Sequence, residues 1–399
     1  MTQSEQFEMV IIGGGISGLS LAHYLSKAGR KVLVLEAGEK IGGCVNTTRF
    51  EEKEFWMEMG AHTCYNSYAQ LIDLALDNNL GENMIAREKL SLKLFNGELK
   101  GIFSRLNLFQ LLGSLPRMFS QKKEGQSVQS FYSKVLGKKN YARLFSRLFS
   151  AVIVQPADEY AADLFLKRRN TRRKDFPKSF TFSHGMQQLL DAIVENDNIE
   201  VRTQIKVKSL VRKESGYLVE TSSGECFDAK NVSLATGPKV GAELIKEAHP
   251  ELSSLLEEIP VQKIHSRAVK LEKTSVDLER LAFVIPVEGP CYSVVTRDVV
   301  DDPQARAFAF HFEQGVLEPE KQLKAMEKLL GTDQLNLDQT FEAYHRLPLL
   351  KPGHPHKVEQ MDKLLEEENL YLTGNYFDGL SLEDCVARSI KESKRYLNK

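Results

Sequence analysis

Cysteine is sparse in this 399-residue chain: Cys44, Cys64, Cys226, Cys291 and Cys385 are scattered, and no two form a C-x-x-C pair. That spacing argues against a disulfide framework and a zinc site, and no metal is expected; a reducing, cytoplasmic setting fits best. Tryptophan occurs once, at Trp56. Charge of neither sign dominates, because 53 Lys and Arg meet 54 Asp and Glu for a formal net charge of -1. The balance gives no global reason to expect nucleic acid. Long apolar runs are missing as well, and none approaches the length of a bilayer-spanning helix. The first strand begins within ten residues of Met1, so no cleavable signal is expected.

What is present is enough apolar residue, 42% of the chain, to bury a sizeable core, in a length that exceeds one average domain. Two domains sharing one cofactor are the expectation. The stretch that organises the rest is Met9-Val10-Ile11-Ile12-Gly13-Gly14-Gly15-Ile16-Ser17-Gly18, a short apolar strand running into Gly-x-Gly-x-x-Gly and then a helix-like segment, Leu19 to Lys27. Each glycine has a physical use: Gly13 permits the tight bend, Gly15 lets backbone approach a pyrophosphate, and Gly18 lets helix and strand pack closely. A second β-run, Lys31 to Leu35, ends in Glu36, at the distance expected of an acid that hydrogen-bonds an adenosine ribose. Strand, turn, helix, strand and acid agree on a dinucleotide site, which at this point is open between NAD and FAD.

Further motifs narrow that choice. Ala37 leads to a second glycine pair, Gly42-Gly43, followed by Cys44, and Phe55 to Thr63 contains Gly60-Ala61-His62. Phe180 to Leu190 precedes a β-rich stretch with Ile205-Lys206-Val207 and Asn231 to Leu234, and then Ala235-Thr236-Gly237-Pro238. Tyr344-His345-Arg346-Leu347-Pro348 and Lys351-Pro352-Gly353-His354 come before Leu370 to Val386, which holds Gly374-Asn375-Tyr376 and Gly379-Leu380-Ser381-Leu382. Together these resemble the protoporphyrinogen oxidase family, within the FAD-dependent amine oxidase and phytoene desaturase superfamily. The resemblance is strongest over 9–63, 183–240 and 344–396.

The resemblance implies an α/β fold: a Rossmann-like FAD-binding domain of the glutathione-reductase type, amine-oxidase-like, with an interleaved α+β substrate domain. Segments 1–80, 183–260 and 362–399 would form the first, and 81–182 and 261–361 the second. It implies FAD held by Gly13, Gly14, Gly15, Ile16, Ser17, Gly18, Glu36, Ala37, Gly42, Gly43, Cys44, Gly60, Ala61, His62, Val207, Gly374, Asn375, Leu380, Ser381 and Leu382. The amides opening the helix near Ser381 would stabilise negative charge on the reduced flavin. It also implies oxidation of protoporphyrinogen IX or coproporphyrinogen III to the porphyrin in haem biosynthesis, with oxygen as acceptor and no catalytic acid or base. Lys93, His345 and Arg346 are candidates for substrate propionates. Cys44 stands where many superfamily members carry Arg, no clear Arg marks the start of the hairpin near Ser91 where several relatives carry one, and no Ser-Gly-Cys-Tyr covalent flavin motif occurs. Oxidation of an amine or a polyene, and flavin binding without oxidation, remain open alternatives.

Between the motifs, 67–80 reads as an amphipathic helix with Leu71, Leu74 and Leu76 near one face, Asn96-Gly97 as a hairpin turn, and Asp158 to Leu166 as a helix. Ile102 to Lys123 mixes Phe103, Leu108, Phe109, Leu112, Leu115 and Phe119 with Arg105, Arg117, Lys122 and Lys123. It is read either as a helix packed on its own domain or as an interfacial helix making peripheral contact with the inner face of the cell membrane. The basic run Lys167 to Lys174 is open between a solvated loop, an anionic lipid site and an acidic-substrate site. Strands are expected at Arg267 to Leu271, Leu281 to Ile285, Tyr292 to Thr296 and Ala305 to Phe312, covered by a helix from Glu318 to Leu330.

Overall fold

Successive residues of the first strand point to opposite sides, and the whole nucleotide half follows from that alternation. In Glu5–Ile12, Met9 and Ile11 join one apolar cluster while Val10 and Ile12 join another, because the strand is buried on both faces. A computed structural model describes residues 5–50, 55–333 and 335–399. The first strand is central in a sheet whose parallel strands run Ile199–Arg202, Val32–Leu35, Glu5–Ile12 and Cys226–Leu234. Beyond them the sheet forks. The early half of Cys226–Leu234 pairs antiparallel with Gly216–Thr221, itself paired with Val207–Lys213, and its late half pairs parallel with Leu370–Leu372.

Helices Ile16–Lys27, Ala69–Asp77, Gln187–Val194 and Leu382–Leu397 contribute to the cluster on one face. The other face carries the antiparallel strands and Pro238–Ile245, Pro250–Glu257 and His354–Leu365, and it shares its core with Val128, Tyr141, Phe149, Tyr160 and Phe165. Chain ends meet across the first face. The Glu383 carboxylate accepts from the amides of Gln70 and Leu71 at 3.1 and 2.9 Å, closing the otherwise bare N-terminus of Ala69–Asp77.

The second large sheet has the order Thr340–Pro348, Val261–Glu272, Ala305–Glu313, Cys291–Thr296, Leu281–Pro286, Ser91–Phe95 and Leu99–Gly101. Its third strand, Ala305–Glu313, reads Ala-Arg-Ala-Phe-Ala-Phe-His-Phe-Glu, so Phe308, Phe310 and Phe312 fall on one face and Ala307, Ala309 and His311 on the other. The phenylalanine face packs against Met326, Leu329 and Leu330 of Pro319–Leu330. The alanine face lets Phe55, Met57 and Met59 approach closely. Thus segment 55–59 is pinned between the two sheets. A smaller sheet joins Cys64–Tyr65, Ser179–Phe182 and Met84–Ala86.

The four strands expected in 267–312 are present, and the 91–101 hairpin turns at Gly97 with φ of +77°. Several expectations need correction. Leu76 lies off the buried face of Ala69–Asp77. Residues 158–166 form turns instead of a helix, because their backbone is committed elsewhere: Val128 N donates to Tyr160 O, Ala162 N to Gln126 O, and Ala161 N to Leu350 O. Ile205 precedes the strand that begins at Val207, since Gln204 takes a positive φ of 60°. The 102–123 helix is interrupted. A single 3-10 turn, Ile102–Arg105, precedes Leu108–Ser120, and the break falls at Asn107, whose side chain accepts from Gln110 N. Phe103, Leu108, Phe109 and Leu112 are exposed, Phe109 at 90%. The side chains of Leu115, Arg117 and Phe119 lie outside the described residues.

Candidate functional site

The glycine-rich turn and the second glycine pair come together at the end of the first strand. Gly42 N donates to Gly14 O at 2.9 Å, and Gly15 forms a parallel bridge with Gly42. Gly42 adopts φ of +146°, and a Cβ there would lie 2.3 Å from Val45 O, so no larger residue keeps this approach. Gly18 is tighter still: its Cβ would fall 2.0 Å from Gly13 O. Ile16 and Ser17 open the following helix and are buried. Glu36 stands beside the turn, its two carboxylate oxygens accepting from Gly14 N at 2.8 Å and Gly38 N at 2.7 Å. Ala37 next to it is exposed. Gln204 N donates to Gly38 O and Ile205 N to Glu36 O, which carries the segment leading into Val207 past the acid.

The end of the chain closes over the same turn. Thr373 N donates to Leu234 O, Thr373 Oγ1 lies 2.8 Å from Ser389 Oγ, and Ser389 Oγ donates to Ser17 O at 2.8 Å. Gly374 and half-buried Asn375 follow; Leu380 is half-buried, and Ser381 caps the last helix by accepting from Asp384 N at 3.1 Å. Leu382 is buried in the first turn. Of the basic run, Arg169 donates to Ser381 Oγ at 2.8 Å and to Asp384 at 3.0 Å, and Lys167 donates to Asp378 O. Arg173 pairs with Asp73 and Asp175, while Arg168, Arg172 and Lys174 are exposed. Part of the run therefore straps the helix cap.

Between these walls passes the segment 44–62. Ala61 N donates to Cys44 O at 2.9 Å, placing Gly60 and Ala61 against the loop that follows Gly43. Glu58 is buried and accepts from Thr47 Oγ1 at 2.9 Å and Met186 N at 2.7 Å; burial pushes its carboxyl up to about 7. Two imidazoles, His62 and His345, border Gly60, and a third, His311, lies near both. His345 Nε2 donates to Met59 O at 2.9 Å, His62 Nδ1 donates to Gly60 O at 3.0 Å, and His311 Nδ1 lies 2.7 Å from Ser266 Oγ. Burial lowers all three, His62 to about 4 and His311 to about 3, so they are neutral at physiological pH. The chain thus offers shaped backbone, apolar walls and neutral donors here. Such a setting suits a reaction whose electrons move through a bound group.

The cradle fits a dinucleotide, since backbone occupies the places where side chains would otherwise crowd the turn. It does not gather every residue the sequence nominates. His345 lies in it, whereas Arg346 is exposed because neighbouring strand residues face opposite ways. Lys93 pairs in register with Val284 on the phenylalanine side of the sheet and holds Glu279 at 2.6 Å. Thr47, Glu58, Gln187 and Ser389 were missed. Thr47 also accepts from Gln187 N at 3.0 Å, and Gln187 Nε2 donates to Ile41 O at 3.2 Å, so this polar knot fixes the second glycine pair. The one signal for it was a lone acid in an apolar run, Trp56-Met57-Glu58-Met59.

Comparison with known proteins bears on the same elements. Residues 16–269, more than half of the chain, match the family described as flavin containing amine oxidoreductase. The coproporphyrinogen III oxidase of Bacillus subtilis (strain 168) is 22% identical, over 95% of both chains. Amine oxidase [flavin-containing] A of Canis lupus familiaris is 23% identical, over 66% of this chain and 56% of its own. A solved structure provisionally assigned as a protoporphyrinogen oxidase, from Exiguobacterium sp. 255-15, superposes with a TM-score of 0.81 over 100% of both chains at 20% identity. The chain belongs to the flavin containing amine oxidoreductase family, and is an FAD-dependent oxidoreductase of the amine oxidase fold.

Proposed function

We propose that this protein oxidises a porphyrinogen, protoporphyrinogen IX or coproporphyrinogen III, to the porphyrin in haem biosynthesis, with oxygen as acceptor. The observation that carries the reading is the end-to-end match to a coproporphyrinogen III oxidase, against a match to amine oxidase A that spans 56% of that protein. Bound FAD would supply two-electron oxidation at a methylene bridge, three rounds of which remove the six electrons and six hydrogens that separate a porphyrinogen from its porphyrin, with three molecules of oxygen taking them up as hydrogen peroxide. The chain's own work is then to bind and orient. The glycine turn and Glu36 hold the dinucleotide, the 44–62 segment and Gly374–Leu382 border the reacting end, and the amides opening the last helix favour negative charge there. His345, hydrogen-bonded to Met59 O, fixes the wall under Gly60 and transfers no proton. In this reading 1–80, 183–260 and 362–399 form the FAD domain, and 81–182 with 261–361 the substrate domain.

The test is anaerobic. Proto- or coproporphyrinogen should bleach the flavin absorbance and, in air, yield a fluorescent porphyrin. Bleaching by amines or polyenes and by neither porphyrinogen would overturn the reading. The exposed Phe103, Leu108, Phe109 and Leu112 favour peripheral membrane contact, in a structure where no helix among the described residues is long and apolar enough to cross a bilayer. Liposome flotation at low salt should carry the protein upward, and Phe109→Ser should reduce that fraction. Equal flotation of both would remove the helix from this role.

A further inference from the structure

Unbalanced charge and exposed apolar side chains fall together in one stretch of the chain. Residues 101–150 hold nine Lys and Arg and a single acid, Glu124, in a protein whose formal net charge is -1. Elsewhere surface lysines find acids: Lys27 holds Asp77, Lys357 holds Glu258 and Lys391 holds Asp362, each at 2.6 Å. Within 101–150 three cations are engaged by neutral oxygens instead, Lys123 by Phe165 O, Lys134 by Gln126 Oε1 and Arg147 by Val287 O. The side chains of Arg105, Lys122, Lys138, Lys139 and Arg143 meet no acid and make no hydrogen bond among the described residues.

Local packing sets these cations beside apolar groups that face water. Ile102 and Leu106 turn inward onto the cluster of Leu94, Leu144 and Ile285, and Phe103 between them is left 81% exposed. The helix Leu108–Ser120 is anchored at its start by Asn140. Asn107 N donates to Asn140 Oδ1 at 2.8 Å, Asn140 Nδ2 to Asn107 O at 2.9 Å, and Asn140 N to Gln110 Oε1 at 2.9 Å. Lys138 and Lys139 immediately precede that anchor and Arg143 follows it, all three exposed. On the anchored helix Leu108, Phe109 and Leu112 share a face by their three- and four-residue spacing, and each is more than half exposed.

Two costs therefore sit on one face: apolar area kept in water, and like charges with no partner. A surface that is anionic outside and apolar beneath relieves both. A nucleic acid would neutralise the cations and leave Leu108 and Leu112 in water, and an apolar protein face would do the reverse. We propose that this face docks on an anionic bilayer, with Phe103, Phe109 and Leu112 entering the boundary between headgroups and acyl chains and Lys138, Lys139 and Arg143 holding lipid phosphates. The assignment rests on the membrane contact proposed above and deepens it by fixing the charge of the lipid. Porphyrinogen chemistry plays no part in it.

Flotation of the FAD-loaded protein on two kinds of vesicle tests it, phosphatidylcholine alone and phosphatidylcholine with phosphatidylglycerol at two to one. At low salt the wild type should float with the mixed vesicles and far less with the neutral ones, and half-molar sodium chloride should release it. Each cation near an anionic surface is worth about fivefold in partition, so K138Q/K139Q/R143Q should weaken binding to the mixed vesicles roughly a hundredfold. All three positions are exposed, so flavin content and Tm should be unchanged; the salt series on the wild type carries the test if they are not. Equal partition of the wild type on both vesicles, or a triple variant that binds the mixed vesicles as the wild type does, overturns the electrostatic assignment and leaves membrane contact standing. Flotation with neither vesicle removes both. Tighter binding of a single-stranded DNA oligonucleotide than of mixed vesicles at the same salt would make the face a nucleic-acid site and overturn the bilayer.

Discussion

The two large sheets solve the same packing problem and finish it differently. In the nucleotide sheet both faces are apolar, and although Ser233 Oγ and Tyr371 OH are buried without partners, the charged groups around it are met within the chain: Glu36 by the amides of Gly14 and Gly38, Glu383 by those of Gln70 and Leu71, Arg388 by two carboxylates. In the second sheet one face is filled by phenylalanine, and the other presents Ala307, Ala309, Ser266 and His311. There, His311 Nε2, Ser293 Oγ and Arg297 Nε are buried without partners. A cofactor held mainly by backbone needs glycine and close approach. A substrate recognised by side chains needs groups that the fold leaves unmatched.

The largest expected break in this comparison is Gly18→Val. A Cβ already 2.0 Å from Gly13 O cannot be relieved by a rotamer, because the obstacle is backbone, so helix and turn must separate. The variant should be colourless or insoluble, read as the ratio of flavin to protein absorbance. Stoichiometric FAD in soluble Gly18→Val would show that the turn is not what holds the cofactor.

The same difference explains what could be read from sequence. Gly13 to Gly18, Gly42-Gly43 and the closing Gly374–Leu382 segment are short, local and glycine-marked, and the structure brings them to one place. The strands of 267–312 were legible because apolar and β-branched residues cluster there between turn signals. Arg87 and Arg297 are separated by more than two hundred positions and carry no local pattern; that each buries an Nε with no partner among the described residues is visible only in coordinates. Lys93 and Arg346 fail as site cations for the converse reason. A strand's facing is fixed by register, and neither register nor partner strand was visible in the chain alone. Residues 158–166 have helical composition, but their amides bond to distant segments.

A second expectation compares two buried arginines directly. Arg388→Met leaves Asp362 to Lys391 alone and Glu392, 1% exposed, to Arg395 alone, and should cost about 1.5–3 kcal/mol, seen as a lower midpoint in urea. Arg297→Met removes a charge that meets no carboxylate among the described residues. It should be neutral or stabilising. Equal losses in the two would mean Arg297 is matched within the fold, and the contrast between the sheets would disappear.

The smallest effect, and the one that probes the seam between the sheets, is the pH response of Glu58. Its folded value is raised from the usual carboxylate range to about 7 by burial, against the lowering pull of Thr47, Met186 N and two arginines. A group raised on folding stabilises fully below its unfolded value and loses that contribution as pH rises through its folded value. The wild type should therefore lose stability between about pH 4.5 and 7 through this residue, by on the order of 1–3 kcal/mol. Glu58→Gln cannot titrate, yet its amide oxygen can accept from Met186 N and its amide nitrogen can donate to Thr47 Oγ1. Midpoints of the two proteins should converge near pH 5 and separate by pH 8, with the variant higher. Parallel curves would place the Glu58 carboxyl in the ordinary range and assign the seam's stability to packing of Phe55, Met57 and Met59 against the alanine face.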